Sequence, residues 1–148
     1  MDENKQYLTF MLSGQECAFD ALKTLEVTED VQITHLPLSA KSILGIANFR
    51  GNIIPVVDLA HMLFNRDGSK SNTTIVVGSQ FGQIALQVDG VREIIVPEEI
   101  TPSEEIGTNI ELDHFIGVVM TDKGMVRILD IESIVQVVNK RSTQTVTS

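Results

Sequence analysis

Tryptophan is absent from this 148-residue chain, and six Phe with one Tyr are its only aromatics. A platform of rings on which nucleic-acid bases could stack is hard to build from so few. Bases are scarce too: 11 Lys and Arg stand against 20 Asp and Glu, a net charge of −9. A field of that sign repels nucleic acid and anionic membrane alike. A single cysteine excludes an internal disulfide and suits a reducing cytoplasm; in Glu16-Cys17-Ala18-Phe19 it reads as a small buried thiol. No apolar run approaches the ~20 residues that span a bilayer. Met1–Gln6 has no cationic stretch leading into an apolar one, so no signal peptide is expected.

Reactive constellations are missing as well. His35, His61 and His114 lie far apart, without metal-ligand spacing. Gly45 and Gly51 do not form a phosphate cradle with a lysine, and no Gly-x-Ser-x-Gly elbow occurs. Cys17 has an acid beside it, which opposes thiolate formation. No catalytic, cofactor or metal site is expected, so binding is favoured over catalysis.

What is present is a packed β protein. Hydrophobic residues make up 43% of the chain and mean hydropathy is +0.12. A chain of this size buries about 68–70% of its unfolded surface. Short apolar runs punctuated by Gly, Asn and Asp predict strands over Tyr7–Leu12, Cys17–Phe19, Thr73–Gly78, Phe81–Val88, Val91–Val96, Phe115–Thr121 and Met125–Leu129. Leu22 to Val27 starts as a helical turn and ends as a strand. Asp30 to Ser39 is a loop with some extended character. Asp89-Gly90 has the chemistry of a type I′ hairpin. Pro97 to Asp113 carries six acids and no base, the composition of an exposed loop.

The most informative stretch is Ile43 to Leu59. Two apolar runs flank Asn48-Phe49-Arg50-Gly51, predicting two strands joined by a tight turn with Gly51 at positive φ. Pro55 marks an edge, a bulge or an unpaired donor in the second strand. Arg50 is the only cation between Lys41 and Arg66. Its guanidinium either snorkels to water or pairs with a carboxylate of this chain or of a partner. Asp58 and Asp130 each stand where the N-cap of a following helix belongs, the second helix running from Ile131 to about Val138.

The halves of the chain also repeat. Ile43-Leu44-Gly45-Ile46 … Gly51 … Val57-Asp58-Leu59 matches Phe115-Ile116-Gly117-Val118 … Gly124 … Leu129-Asp130-Ile131, and Leu25-Glu26-Val27 matches Arg92-Glu93-Ile94, at an offset of about 70 residues. The duplication covers roughly 7–64 and 73–138. Five or so short strands bury two faces only by curling, so each half is expected to form a small barrel, with the two lobes related by a pseudo-two-fold and sharing a seam. Residues 1–5 and 139–148 read as flexible ends.

Gly45-Ile46-Ala47-Asn48-Phe49-Arg50-Gly51-Asn52-Ile53-Ile54-Pro55-Val56-Val57-Asp58-Leu59 closely resembles the central signature of the CheW-like chemotaxis coupling family. With Tyr7-Leu8-Thr9-Phe10, Leu25-Glu26-Val27 and the second-half matches, the resemblance spans a single domain at about 6–138, made of two interleaved β-barrel lobes. It implies a mainly β fold of two pseudo-symmetric five-stranded SH3-like barrels around a hydrophobic seam, with short helices after each strand unit and at the C-terminus. It implies a cytoplasmic, non-enzymatic adaptor at membrane-associated receptor clusters. The partners implied are the cytoplasmic tip of a chemoreceptor, the regulatory domain of a CheA-type histidine kinase and other CheW-like domains, with neither nucleic acid nor direct membrane insertion. The expected partner-binding residues are Thr24, Glu26, Ile46, Asn48, Phe49, Arg50 and Gly51; Arg50 and Glu26 are the family's coupling residues, poised to pair. Gly45, Asp58, Gly117 and Asp130 are expected at turns and caps. Thr24 replaces a common Val and makes that edge of the receptor groove more polar; Phe49 adds bulk where Leu or Val is common.

With neither a kinase nor a receiver domain attached, a stand-alone coupler is expected, its inter-lobe groove receiving an apolar helical tip. The same role in a pilus-motility pathway is the alternative. From another class, a small β-barrel enzyme or small-molecule binder would use the seam as a pocket, with Glu26, Arg50 and His35 as its only set of convergent groups.

Overall fold

The computed structural model describes residues 5–37, 42–66, 71–102 and 114–147. The first six strands are β1 (Tyr7–Leu12), β2 (Gln15–Asp20), β3 (Thr24–Thr28), β4 (Ile33–His35), β5 (Ile43–Phe49) and β6 (Asn52–Asp58). A 3₁₀ turn (Ala21–Lys23) precedes β3, and helix α1 (Leu59–Phe64) follows β6. The next six are β7 (Thr74–Ser79), β8 (Gly82–Gln87), β9 (Gly90–Ile95), β10 (Thr101–Pro102), β11 (Phe115–Thr121) and β12 (Gly124–Leu129), closed by helix α2 (Ile131–Thr147).

Two six-stranded sheets result, ordered β10-β11-β12-β2-β1-β9 and β4-β5-β6-β8-β7-β3. Pairing each strand with the one six places later turns the first order into the second. The mainly β, two-lobed architecture agrees with expectation, and the lobes interleave along the chain rather than each being curled from one half. Neither half builds a lobe alone: β1 and β2 join β9–β12, while β7 and β8 join β3–β6. Each lobe gains a sixth strand, β4 or β10, too short and too close to proline to leave an alternating pattern.

The exchange also overturns the hairpin predicted at Asp89-Gly90. β8 and β9 belong to different sheets, and Gly90 lacks the positive φ that a type I′ turn demands. Asp89 instead ties the crossover to the other lobe. Its N–H donates to Met11 O at 3.0 Å, and its carboxylate accepts from Ser13 N at 2.7 Å. The two consecutive positive φ angles that a type I′ turn demands occur at Ser13-Gly14 (φ 51°, 78°) and Arg50-Gly51 (φ 51°, 86°).

Where the lobes meet, the main core forms. Phe10, Leu12, Cys17 and Phe19 of one sheet pack with Val57, Ile75, Ile84 and Leu86 of the other and with Leu59, Leu129, Ile134 and Val135. The seam is thus filled by side chains. Helix α2 buries Ile131, Ile134, Val135 and Val138, the i, i+3, i+4, i+7 stripe of an amphipathic helix, against β6, β7 and β8. It extends to Thr147, past Val138 where the sequence predicts its end and through the tail expected to be flexible, because no Gly or Pro interrupts it. The other expected flexible end is covered only at Lys5; residues 1–4 lie outside the described residues, as do Glu104, Glu105, Glu111 and Asp113 of the acidic stretch. Glu98 and Glu99 are exposed.

Pro55 is buried inside a central strand, and the parallel ladder from β6 to β8 begins one residue later, at Val56 opposite Ala85. Its missing N–H therefore falls just outside that ladder. Gly45 and Gly117 are not turn residues. Each stands where β5 or β11 meets its short partner strand; a Cβ would overlap the carbonyl oxygen of Thr34 or Thr101.

Candidate functional site

The β5–β6 turn organises the candidate site. Phe49 and Asn52 pair across it, so Arg50 and Gly51 are the two loop residues of the hairpin. Asn48 Oδ1 accepts from Gly51 N at 3.0 Å and locks the turn. An arginine at φ 51° is locally unfavourable by about 1 kcal/mol relative to glycine. Its side chain has two partners: the guanidinium carbon lies 4.7 Å from the centroid of the Phe49 ring, and Nη2 lies 3.4 Å from Glu26 Oε1 on β3. The pair is solvated, with side chains 64% and 41% exposed, so it contributes little to stability and leaves both charges available.

The other candidate residues divide by where their side chains point. Phe49 is buried with Ala47, Ile54, Val56, Val76 and Ala85 and anchors the turn from beneath. Ile46 and Asn48 lie on the opposite face of β5, half-buried and exposed. Thr24 Oγ1 is buried, without a hydrogen-bond partner among the described residues, so the polarity expected at that edge does not face solvent. Beside it, Glu132 Oε1 meets Lys23 Nζ at 2.6 Å, and this hydrogen bond holds the Lys23 ammonium above the usual lysine pKa. Asp58 caps α1 by accepting from His61 N at 3.1 Å, and Asp130 faces Ser133 N at 3.4 Å in the same way.

Glu26, Asn48 and Phe49, with Val31 and Ile54, line a depression of about 350 Å³ over the smaller core of one lobe. It lies away from the filled seam. His35 does not join this set: it pairs with Gly45, four residues and about 13 Å along β5 from Phe49. No group of three potential metal ligands occurs among the described residues. Burial pushes the Cys17 thiol up to about 12, with Arg127 opposing and Glu16 adding to the shift; as a nucleophile it is inert. None of the described helices is long and apolar enough to cross a membrane.

Two features escaped sequence reasoning. The ion pair recurs in the other lobe, where Lys123 Nζ lies 3.5 Å from Glu93 Oε1. Glu93 corresponds in register to Glu26, and the matched Leu25-Glu26-Val27 and Arg92-Glu93-Ile94 carried that signal. Likewise Ser42 Oγ meets His61 Nδ1, and His114 Nδ1 meets Ser133 Oγ, both at 3.0 Å. The contact is the same in both halves with serine and histidine exchanged, a coupling that residue-by-residue matching hides.

Residues 6–139 match the family model of the CheW-like domain. The chain is 28% identical over 134 residues to the chemotaxis protein CheW of Klebsiella aerogenes, covering 88% of this chain and 81% of that one. With CheW of Thermotoga maritima it shares 33% over 136 residues, covering 88% and 87%. With protein FrzA of Myxococcus xanthus it shares 24% over 145 residues, covering 93% and 89%. The crystal structure of the scaffolding protein TtCheW from Thermoanaerobacter tengcongensis is similar with a TM-score of 0.77 and 33% identity, covering 86% of this chain and 89% of that one.

Proposed function

The chain belongs to the CheW-like domain family, and from that premise we propose that it is a non-enzymatic adaptor coupling chemoreceptors to a CheA-type histidine kinase. Arg50 carries the reading. A long cation is held in a left-handed turn at a local cost, over a buried ring and beside Glu26, with most of its guanidinium in water. Strain kept at an exposed position that adds little stability is strain kept for a partner. The planar fork can exchange Glu26 for a partner carboxylate or bridge the two. Thr24, Ile46, Asn48, Phe49 and Gly51 act around it, as groove wall or as support for the turn.

The scaffold role named for TtCheW supports the assignment, as do the relatives named for chemotaxis. On this reading the protein works in the cytoplasm, at receptor clusters, with no cofactor. Among the described residues the seam between the lobes is filled by side chains, which supports a receptor groove on the surface rather than a cavity and speaks against a small molecule held in the seam. Similarity to FrzA, a relative not named for chemotaxis, supports a second reading in which the same coupling role serves another pathway.

The test is kinase stimulation in a reconstituted mixture of receptor fragment, kinase and this chain. Arg50→Ala and Glu26→Ala should each lower stimulation at least several-fold while circular dichroism stays unchanged. Full stimulation by Arg50→Ala would remove that residue from the coupling surface.

A further inference from the structure

The lobes share a frame but differ in surface chemistry at one equivalent place. Register fixes the correspondence: Ala18 opposite Ile128 matches Ala85 opposite Val56, and the β1–β9 and β7–β3 pairs are shifted at the same point. Around the β7–β8 turn the exposed side chains Leu25, Ile53 and Phe81 are apolar. Their counterparts around the β1–β2 turn are Arg92, Met125 and Gly14. These line a depression of about 360 Å³ together with Met11, Lys123 and Arg127.

Three cations face one carboxylate there, Glu16, in a chain whose net charge is −9. A fourth cation, Arg66, reaches the same turn and donates to Ser13 O across 3.5 Å. Of the acids beside it, Asp89 accepts from Ser13 N at 2.7 Å, and Glu93 forms a solvated pair with Lys123 at 3.5 Å that offsets that one cation and leaves Arg92 and Arg127. The frame under the cations is fixed. Thr9 Oγ1 both donates to Glu93 O and accepts from Glu93 N at 3.0 Å, pinning β9 beside Arg92. Arg127 is braced 5.8 Å from the centroid of the Phe64 ring.

We infer that this depression binds an acidic segment of a partner protein, its carboxylates on Arg92 and Arg127 and an aliphatic side chain against Met11 and Met125. Guanidinium forks match carboxylates bidentately, and methionine adapts its shape to an apolar side chain. The lining has no aromatic ring on which a nucleobase could stack and no helix N-terminus to seat a phosphate. The site lies in the lobe opposite Arg50 and does not depend on the coupling reading.

Fluorescence anisotropy with a fluorescein-labelled peptide of repeating Glu-Leu-Glu tests this on the full chain. Binding should weaken about tenfold in Arg92→Ala and further in Arg92→Glu, as loss of a charged hydrogen bond predicts. Salt should weaken it, and the peptide with Gln for Glu should not bind. Arg50→Ala should bind like the parent chain. Equal binding by the parent chain and Arg92→Glu would overturn the site. Displacement by pyrophosphate at concentrations where glutarate has no effect would make it a phosphate site instead. Self-association of the chain, abolished by Arg92→Glu in sedimentation equilibrium, would make a second copy the occupant and equally overturn the inference.

Discussion

Replacing Gly45 by alanine should detach β4 and leave the rest of the lobe standing. The new Cβ would overlap the Thr34 carbonyl oxygen and stand 2.9 Å from His35 Cα, where carbon atoms prefer about 3.5–4.0 Å. Both obstacles are backbone, so no side chain can turn away to make room. The strand must move, and β4 is the one that yields: it is three residues long, at a sheet edge, with only Ile33 half-buried. Its ladder with β5 covers Ile33–Ala47, Thr34–Ile46 and His35–Gly45. Losing about three hydrogen bonds at ~0.5–1.5 kcal/mol each costs roughly 2–4 kcal/mol. With a urea m-value of ~2 kcal/mol/M, the midpoint should fall by about 1–2 M. Hydrogen exchange should accelerate at residues 33–35 and stay unchanged at β10. Gly117→Ala should reverse that pattern, freeing Thr101-Pro102. A midpoint shift under ~0.3 M, or acceleration spread evenly over both lobes, would refute the reasoning.

Arg50→Ala should change folding stability by less than about 1 kcal/mol in urea titration, because its ion pair is solvated and its ring contact is single. Arg50→Gly should be at least as stable as the parent, since glycine accepts the left-handed turn. Cys17 should resist Ellman's reagent until the protein unfolds. Its folded pKa of about 12 exceeds the ordinary 9.0, so the folded state keeps a proton that the unfolded state releases. Stability should therefore fall by up to ~1.4 kcal/mol per pH unit from pH 9 towards 12 on account of Cys17 alone, and Cys17→Ala should decline less by that amount. Lys23 also has a raised pKa, so its pair with Glu132 stabilises below pH 10.5 and is lost as pH rises through the folded value. With both side chains about a third exposed, Lys23→Met should cost less than about 1 kcal/mol at neutral pH, read from the urea midpoint.

Local chemistry was legible in the residues themselves, whereas interleaved lobes were expected only through the family resemblance and the strands exchanged were not legible at all. The turn at Arg50-Gly51, the caps at Asp58 and Asp130 and the buried Cys17 each follow from residues next to one another in the chain. The strand swap between halves leaves no local trace. Asp89-Gly90 has hairpin composition, yet its carboxylate serves a turn 76 residues away. Strands of two and three residues, β10 and β4, are shorter than any pattern that alternation can reveal. Side-chain direction was hidden too: Thr24 reads as a polar edge residue and buries its hydroxyl, and Phe49 reads as a contact and serves as a floor. The second ion pair and the basic depression depend on the register of β9 against β1, which fixes where Arg92, Glu93 and Lys123 meet.

Co-sedimentation of this chain with a membrane-embedded receptor fragment and a CheA-type kinase tests the adaptor assignment most directly. The chain should be required for kinase to pellet with receptor, and Arg50→Ala should leave the kinase in the supernatant while itself staying folded. Kinase that pellets equally well without the chain would contradict the assignment.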